Sequence, residues 1–204
     1  MNLIFNGKPV LIEAGTPGYS DPVYKSYYRS VAGHNVLQVG DNVNIGKGIA
    51  TLTHTNITET SGEVTMRTGL AAGMAYYPVE WSRNVSWQCS SANRVAVQDG
   101  VKLESLQNVT FRWHLATEVE PEIRTENGAI KIHVPAGEMK LGAELYTSPE
   151  INLQISASTE ISINSVPAFD HTLKYRIPRH QHRVIEITTK RAVKEFSMET
   201  VISD

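Results

Sequence analysis

Apolar residues in this chain recur at every second position in many short runs, and over no helix-length stretch do they follow helical spacing. A period of two puts one face of each run in a core and the other toward water, which is the mark of half-buried strands. The runs are Pro9 to Glu13, Val36 to Val39, Ile49 to Ile57, Val64 to Thr68, Arg83 to Cys89, Arg94 to Val97 and Val109 to Ala116. Further along come Ala129 to Val134, Met139 to Tyr146, Asn152 to Ser156, Glu160 to Ile163, Thr172 to Ile177, Arg183 to Thr188 and Lys194 to Ser197. They are rich in Val, Ile, Thr and aromatics, which fit a pleated surface. Between them stand Asn6-Gly7, Ser61-Gly62, Asp99-Gly100 and Asn127-Gly128, dipeptides that favour hairpin turns. About a dozen such strands without an amphipathic helix predict an all-β fold, a large antiparallel two-sheet β-sandwich. A chain of 204 residues holds it as a single domain, 1-204.

Composition narrows the function classes. Hydrophobic residues are 41% and charged residues 20%, enough to build a core and too apolar for a disordered chain. The formal net charge is -2, so the chain as a whole exerts no pull on nucleic acid or on acidic membranes. Cys89 has no second cysteine to pair with, either as a disulfide or as a thiolate metal site. No apolar run reaches the length of a membrane span, and the opening MNLIFNGKPVLIEAG has no signal-peptide pattern. The chain as given is expected to be soluble, with Met1 a start placed at a domain boundary.

Two segments interrupt the strands. Gly15 to Gly33 is a long Pro-, Gly- and Ser-bearing loop that carries Tyr19, Tyr24, Tyr27 and Tyr28, and Gly40 to Gly48 reads as a surface excursion. Lys174, Arg176, Arg179, Arg183, Lys190, Arg191 and Lys194 make a basic strip near the C-terminus, best read as a solvated strand whose charges guard an edge. The histidines differ in context. His34 sits where the Tyr-rich loop enters a strand, a good position for chemistry or metal binding. In Phe111 to Leu115 the alternation puts Phe111, Trp113 and Leu115 on one face, so Arg112 and His114 face solvent or a cleft. His54 and His133 read as structural, and His180 with His182 as a surface pair lacking the third ligand that zinc requires. No nucleophile elbow, P-loop, H-E-x-x-H or dinucleotide fingerprint occurs, and the acids are too scattered to nominate a glycosidase pair. Three N-x-[ST] sequons, at Asn56, Asn84 and Asn108, are short enough to arise by chance.

The order of these features resembles a known family. Phe5-Asn6-Gly7-Lys8-Pro9-Val10-Leu11-Ile12-Glu13-Ala14-Gly15, then Arg29-Ser30-Val31-Ala32-Gly33-His34-Asn35-Val36-Leu37, is similar to the C-terminal β-sandwich of the heparinase II/III-like polysaccharide lyases. Arg83-Asn84-Val85, Val95-Ala96-Val97-Gln98-Asp99 and Phe111-Arg112-Trp113-His114-Leu115 extend the resemblance to about Leu115. It implies a sandwich that follows an α/α toroid in a bacterial enzyme cleaving uronate-containing acidic polysaccharide, glycosaminoglycan or alginate, by β-elimination. That reaction needs the uronate carboxylate neutralised, a base for the C5 proton and an acid for the leaving oxygen, and in the family the toroid supplies much of this set.

Carried over residue by residue, the resemblance makes Tyr28, Arg29, His34, Asn35 and His114 the candidates for the cleft. It makes Glu13 and His34 part of a zinc site, with Glu13 where the family usually has Asp and with the family's upstream His-x-His lying before this chain begins. The expected partners are an acidic polysaccharide and the upstream toroid, without which the fragment is inactive; the separated interface favours a homo-oligomer. A periplasmic or secreted parent follows from the resemblance. The competing readings are a stand-alone carbohydrate-binding sandwich with Trp81, Trp87, Trp113 or the Tyr-rich loop as stacking platforms, and a structural module whose aromatics are core. Trp87 and Trp113 alternate with apolar residues and fit the core; Trp81 reads as the one more open to solvent.

Overall fold

A computed structural model of the chain describes residues 1–14, 23–41, 49–69, 79–89, 92–126, 128–141, 144–168 and 182–204. Tyr19, His171, His180, the strand expected over Thr172 to Ile177 and most of Gly40 to Gly48 lie outside these residues. The described strands are β1 (Leu3–Phe5), β2 (Lys8–Leu11), β3 (Leu37–Val39), β4 (Ile49–Ile57), β5 (Ser61–Gly69), β6 (Val79–Cys89), β7 (Asn93–Gln107) and β8 (Val109–His114). They continue with β9 (Glu122–Glu126), β10 (Ala129–Val134), β11 (Gly137–Leu141), β12 (Glu144–Ser148), β13 (Ile151–Ala157), β14 (Ile161–Pro167), β15 (Arg183–Thr189) and β16 (Val193–Ser203).

Every pairing is antiparallel. An eight-stranded sheet runs β4-β5-β6-β7-β16-β13-β10-β9, a four-stranded sheet runs β14-β15-β8-β3, and β1-β2 and β11-β12 form two-stranded ribbons. The all-β sandwich expected from the alternation is thus the observed fold. Val95, Val97, Leu153, Ile155 and Ile202 of the larger sheet meet Phe111, Trp113, Ile185 and Ile187 of the smaller one in a single buried cluster. Phe111 stacks on Phe196 at 5.9 Å, and the Trp113 indole N–H reaches Thr200 Oγ1 at 3.3 Å, so both contacts bridge the layers.

Asn6 and Gly7 have φ of 50° and 75°, the positive values a two-residue hairpin needs, and they join β1 to β2 as expected. Asp99-Gly100 turns nothing. Both residues lie inside the fifteen-residue β7, paired to Ser197 and Met198 of β16, because Asp99 has a buried partner that holds the strand extended. Met139 to Tyr146 divides into β11 and β12. The later half of the Tyr-rich loop coils into a π-helical turn, Tyr24–Tyr28, and a 3-10 turn, Val31–Gly33.

Gly62 supports the indole of Trp87, since a Cβ there would lie 2.1 Å from the ring. Gly62→Val is expected to cost about 1–3 kcal/mol by displacing that ring, read as a lower thermal midpoint together with a changed Trp fluorescence.

Candidate functional site

The tail of β2 carries Glu13 into place. Ile12 N–H donates to the His114 carbonyl and Ala14 N–H to the Gly33 carbonyl, at 3.0 and 3.1 Å, so the residue between them is fixed against the end of β8 and the 3-10 turn. Ser30 caps that turn by accepting from Ala32 N–H, and Gly33 lets the Tyr27 carbonyl come closer than any Cβ would allow. These constraints present His34 to Glu13 with Nδ1 2.7 Å from Oε2, while Nε2 lies 3.0 Å from the Tyr28 carbonyl. A carboxylate and a carbonyl only accept, so both ring nitrogens carry hydrogen and His34 is an imidazolium. The hydrogen bond to Glu13 raises the His34 pKa against the opposing effect of burial. Burial pushes the Glu13 carboxyl up, but the hydrogen bonds from His34 and the Met1 ammonium outweigh it and hold the group at about 2.

Beneath this half-exposed pair lies a buried network. Asn35 is 0% exposed; its Nδ2 donates to the carbonyls of Met1 and Ile12, each at 2.8 Å, and its Oδ1 accepts from His114 N–H at 2.7 Å. The Asn35 carbonyl accepts from Arg83 Nη1 at 2.7 Å. Arg83 and Asp99 stand opposite each other on β6 and β7, and the guanidinium grips the carboxylate with two bonds of 2.8 and 3.0 Å. Trp81 Nε1 adds a third bond to Asp99 at 2.8 Å, and the guanidinium sits 5.0 and 5.1 Å from the Trp81 and Trp113 rings. The separate sequence motifs around His34, Arg83, Asp99 and His114 are therefore one hydrogen-bonded unit that spans both sheets.

On the outer face of the smaller sheet His114 is also 0% exposed, covered by the π-helical turn. Its Nδ1 lies 2.7 Å from His182 Nε2, and its ring is 6.4 Å from that of Tyr27. Among the described residues its Nε2 has no hydrogen-bond partner. Burial, with His182 beside it, pushes the His114 pKa down to about 3, so the ring is neutral. Burial likewise pushes the Tyr27 hydroxyl up. Arg112 bonds Glu186 through Nε and Gln38 through Nη1, both at 2.7 Å.

Several expectations change as a result. Asn35 and His114 are buried support, and Tyr28, 9% exposed, contributes its carbonyl to His34 while its ring packs edge-on to Tyr27 at 5.2 Å. Arg29 is exposed and His34 half-exposed, so these two of the five cleft candidates face outward. His182 is buried rather than a surface residue, because it is paired with His114. Arg112 is mostly covered rather than open, and Trp81 is tied to Asp99. The Arg83–Asp99 pair was missed because each lies in a run that reads as an ordinary strand or turn; a charged residue at the inward phase of a strand was the available signal.

As arranged, Glu13 and His34 form an incomplete set for zinc. They offer two donors where zinc takes three protein ligands with water or four in all, and the described residues hold no cluster of three ligating side chains. Among those residues no helix is long and apolar enough to cross a membrane.

Comparison with known proteins accords with this fold. The heparinase II/III-like C-terminal family model matches residues 1–197. No curated protein matches the chain. Among solved structures, a heparinase III is 14% identical with a TM-score of 0.69, covering 98% of this chain and 28% of that one. A heparinase III with methylated lysines gives 13% and 0.67, with 100% and 29% covered. The heparan sulfate lyase HepC from Pedobacter heparinus gives 16% and 0.61, with 99% and 29% covered. The chain thus spans less than a third of each of these proteins, and at such identities they share its fold. With nearly its whole length matched by that model, the chain belongs to the heparinase II/III-like C-terminal domain family.

Proposed function

We propose that this chain is the C-terminal sandwich of a polysaccharide lyase, forming one wall of a cleft in which an uronate-containing acidic polysaccharide undergoes β-elimination. The observation that carries the reading is the exposed Arg29, five positions before a half-exposed His34 that the buried scaffold fixes through Glu13 and the Tyr28 carbonyl. A guanidinium at the surface would neutralise a uronate carboxylate or a sulfate, which acidifies the C5 proton without removing it, while both His34 N–H groups stay engaged by Glu13 and the Tyr28 carbonyl. The base and the proton donor for the leaving oxygen belong to the toroid, so this chain alone turns over no substrate. The parent enzyme would act in the periplasm or outside the cell, where such polysaccharides are met. A zinc ion at Glu13 and His34 would need further ligands from outside this chain and a deprotonated His34.

A carbohydrate-binding module with aromatic platforms finds less support. Trp113 is buried, Trp81 is bound to Asp99, and Trp87 lies over Gly62. The open depression on the outer face of the larger sheet, lined by Arg124, Lys131, His133, Asn152 and Gln154 among others, contains no Phe, Tyr or Trp.

Calorimetry with a heparan sulfate oligosaccharide is expected to show weak, salt-sensitive binding that Arg29→Ala lowers about tenfold, consistent with loss of a charged contact of 1–2 kcal/mol. The same mixture is expected to form no unsaturated uronate. Binding indifferent to Arg29, or elimination by the chain alone, would contradict the proposal.

A further inference from the structure

Among the described residues the larger sheet has twice as many strands as the one packed on it, and β4, β5 and part of β6 extend past the described cover. Register shows what this leaves open. Leu52, Met66 and Arg83 share one row with Asp99; Thr55, Val64 and Val85 share one with Val97; Ile57, Gly62 and Trp87 share one with Val95. Each row begins in the core and runs outward on the core-facing side, ending on β4 at Leu52 (58% exposed), Thr55 and Ile57 (61%), with Met66 (36%) one strand in from Leu52. The opposite side of the same strands is polar, with Glu63, Thr65, Arg67, Ser82, Asn84 and Ser86. An amphipathic sheet whose apolar side is open beyond its cover is built to be covered.

The two edges of the sheet differ in the same sense. β9, at one end, has three charges in five residues, Glu122, Arg124 and Glu126, the ordinary guard against edge-to-edge pairing. β4, at the other end, has none in nine, reads IATLTHTNI, and has no described strand on its outer side. A bulge between Leu52 and His54 bends it, but Thr53 satisfies its own hydroxyl on the Thr65 carbonyl within the chain. What fits an open strand edge flanked by apolar rows is another strand with the same character.

We propose that two copies of this chain join through β4, edge to edge and antiparallel about a two-fold axis, each flanking the other's exposed Leu52 and Ile57. A strand pairs with its own copy in this way only if no like charges meet near the axis, and a chargeless β4 meets that condition where β9 does not. The inference does not depend on the lyase reading, since it concerns a surface that Glu13, Arg29 and His34 do not share.

Sedimentation equilibrium of the 204-residue chain over a wide concentration range tests it. A dimer is expected. Leu52→Lys and Thr55→Lys each put two like charges near the axis and should weaken the dimer at least tenfold, with circular dichroism unchanged. Thr125→Lys on β9 should leave it intact. A monomer at every concentration, or an assembly that persists in both β4 variants, would overturn the proposal. Failure here leaves oligosaccharide binding unaffected, so the two proposals fall separately.

Discussion

Replacing Arg83 by alanine is expected to cost about 3–5 kcal/mol, because it leaves the Asp99 carboxylate buried with its charge uncompensated. Asp99 has a side-chain exposure of 0%, and the indole of Trp81 would be its remaining side-chain partner. Desolvation is what makes the loss large; an ion pair at the surface contributes about 0–1 kcal/mol. Arg83 also donates to the Asn35 carbonyl, so its removal loosens the residue on which His34 depends. Against a typical stability of about 5–15 kcal/mol this is a large fraction. Urea denaturation should show the loss as a lower midpoint. The double variant Arg83→Met with Asp99→Leu removes both charges and should recover much of it. Equal losses in the single and double variants would mean that the pair is not what holds this part of the core.

The second large effect is a loss of stability in mild acid. In the folded chain the His114 pKa lies at about 3 against an ordinary 6.5, so below pH 6.5 the unfolded chain takes up a proton that the folded chain refuses. Its contribution is complete above pH 6.5 and declines as the pH falls toward 3. Between pH 6.5 and 5 the decline is about 2 kcal/mol, at 1.36 kcal/mol per pH unit. His34 acts in the opposite direction: its raised pKa gives stability that is fully present below 6.5 and is lost at higher pH, so it does not mask the decline. Glu13, lowered to about 2, weakens the fold only below about pH 4.5. Urea midpoints at pH 6.5 and 5 should therefore differ in the native chain and converge in His114→Phe. Equal midpoints in the native chain would mean that His114 takes up its proton without leaving its pocket.

The fold was legible because alternation reports which face of each strand is buried, and Phe111, Trp113 and Leu115 obeyed it without exception. The same rule misjudged the other face of β8. It sent Arg112 and His114 to solvent because periodicity takes no account of what a later or earlier segment lays over a sheet, here the turn at Tyr24–Tyr28 and His182. Asp99-Gly100 misled for a related reason: the dipeptide favours a turn locally, and a partner sixteen positions away in sequence overrides that preference. The importance of Glu13 and His34 was legible from their place in the motifs. Their direct pairing was not, because a hydrogen bond between residues twenty-one positions apart depends on a loop whose path the residue pattern does not state.

The central claim is that Arg29 meets the polysaccharide while His34 and the residues behind it hold the wall in place. Its most direct test is nuclear magnetic resonance mapping of the chain during titration with a heparan sulfate oligosaccharide. The account predicts shifts concentrated at Tyr24, Arg29 and His34, with His34 carrying both ring hydrogens throughout and the side chains of Asn35, Arg83 and Asp99 unmoved. Shifts gathered instead on the polar outer face of β9, β10 and β13, or none at any attainable concentration, would contradict it.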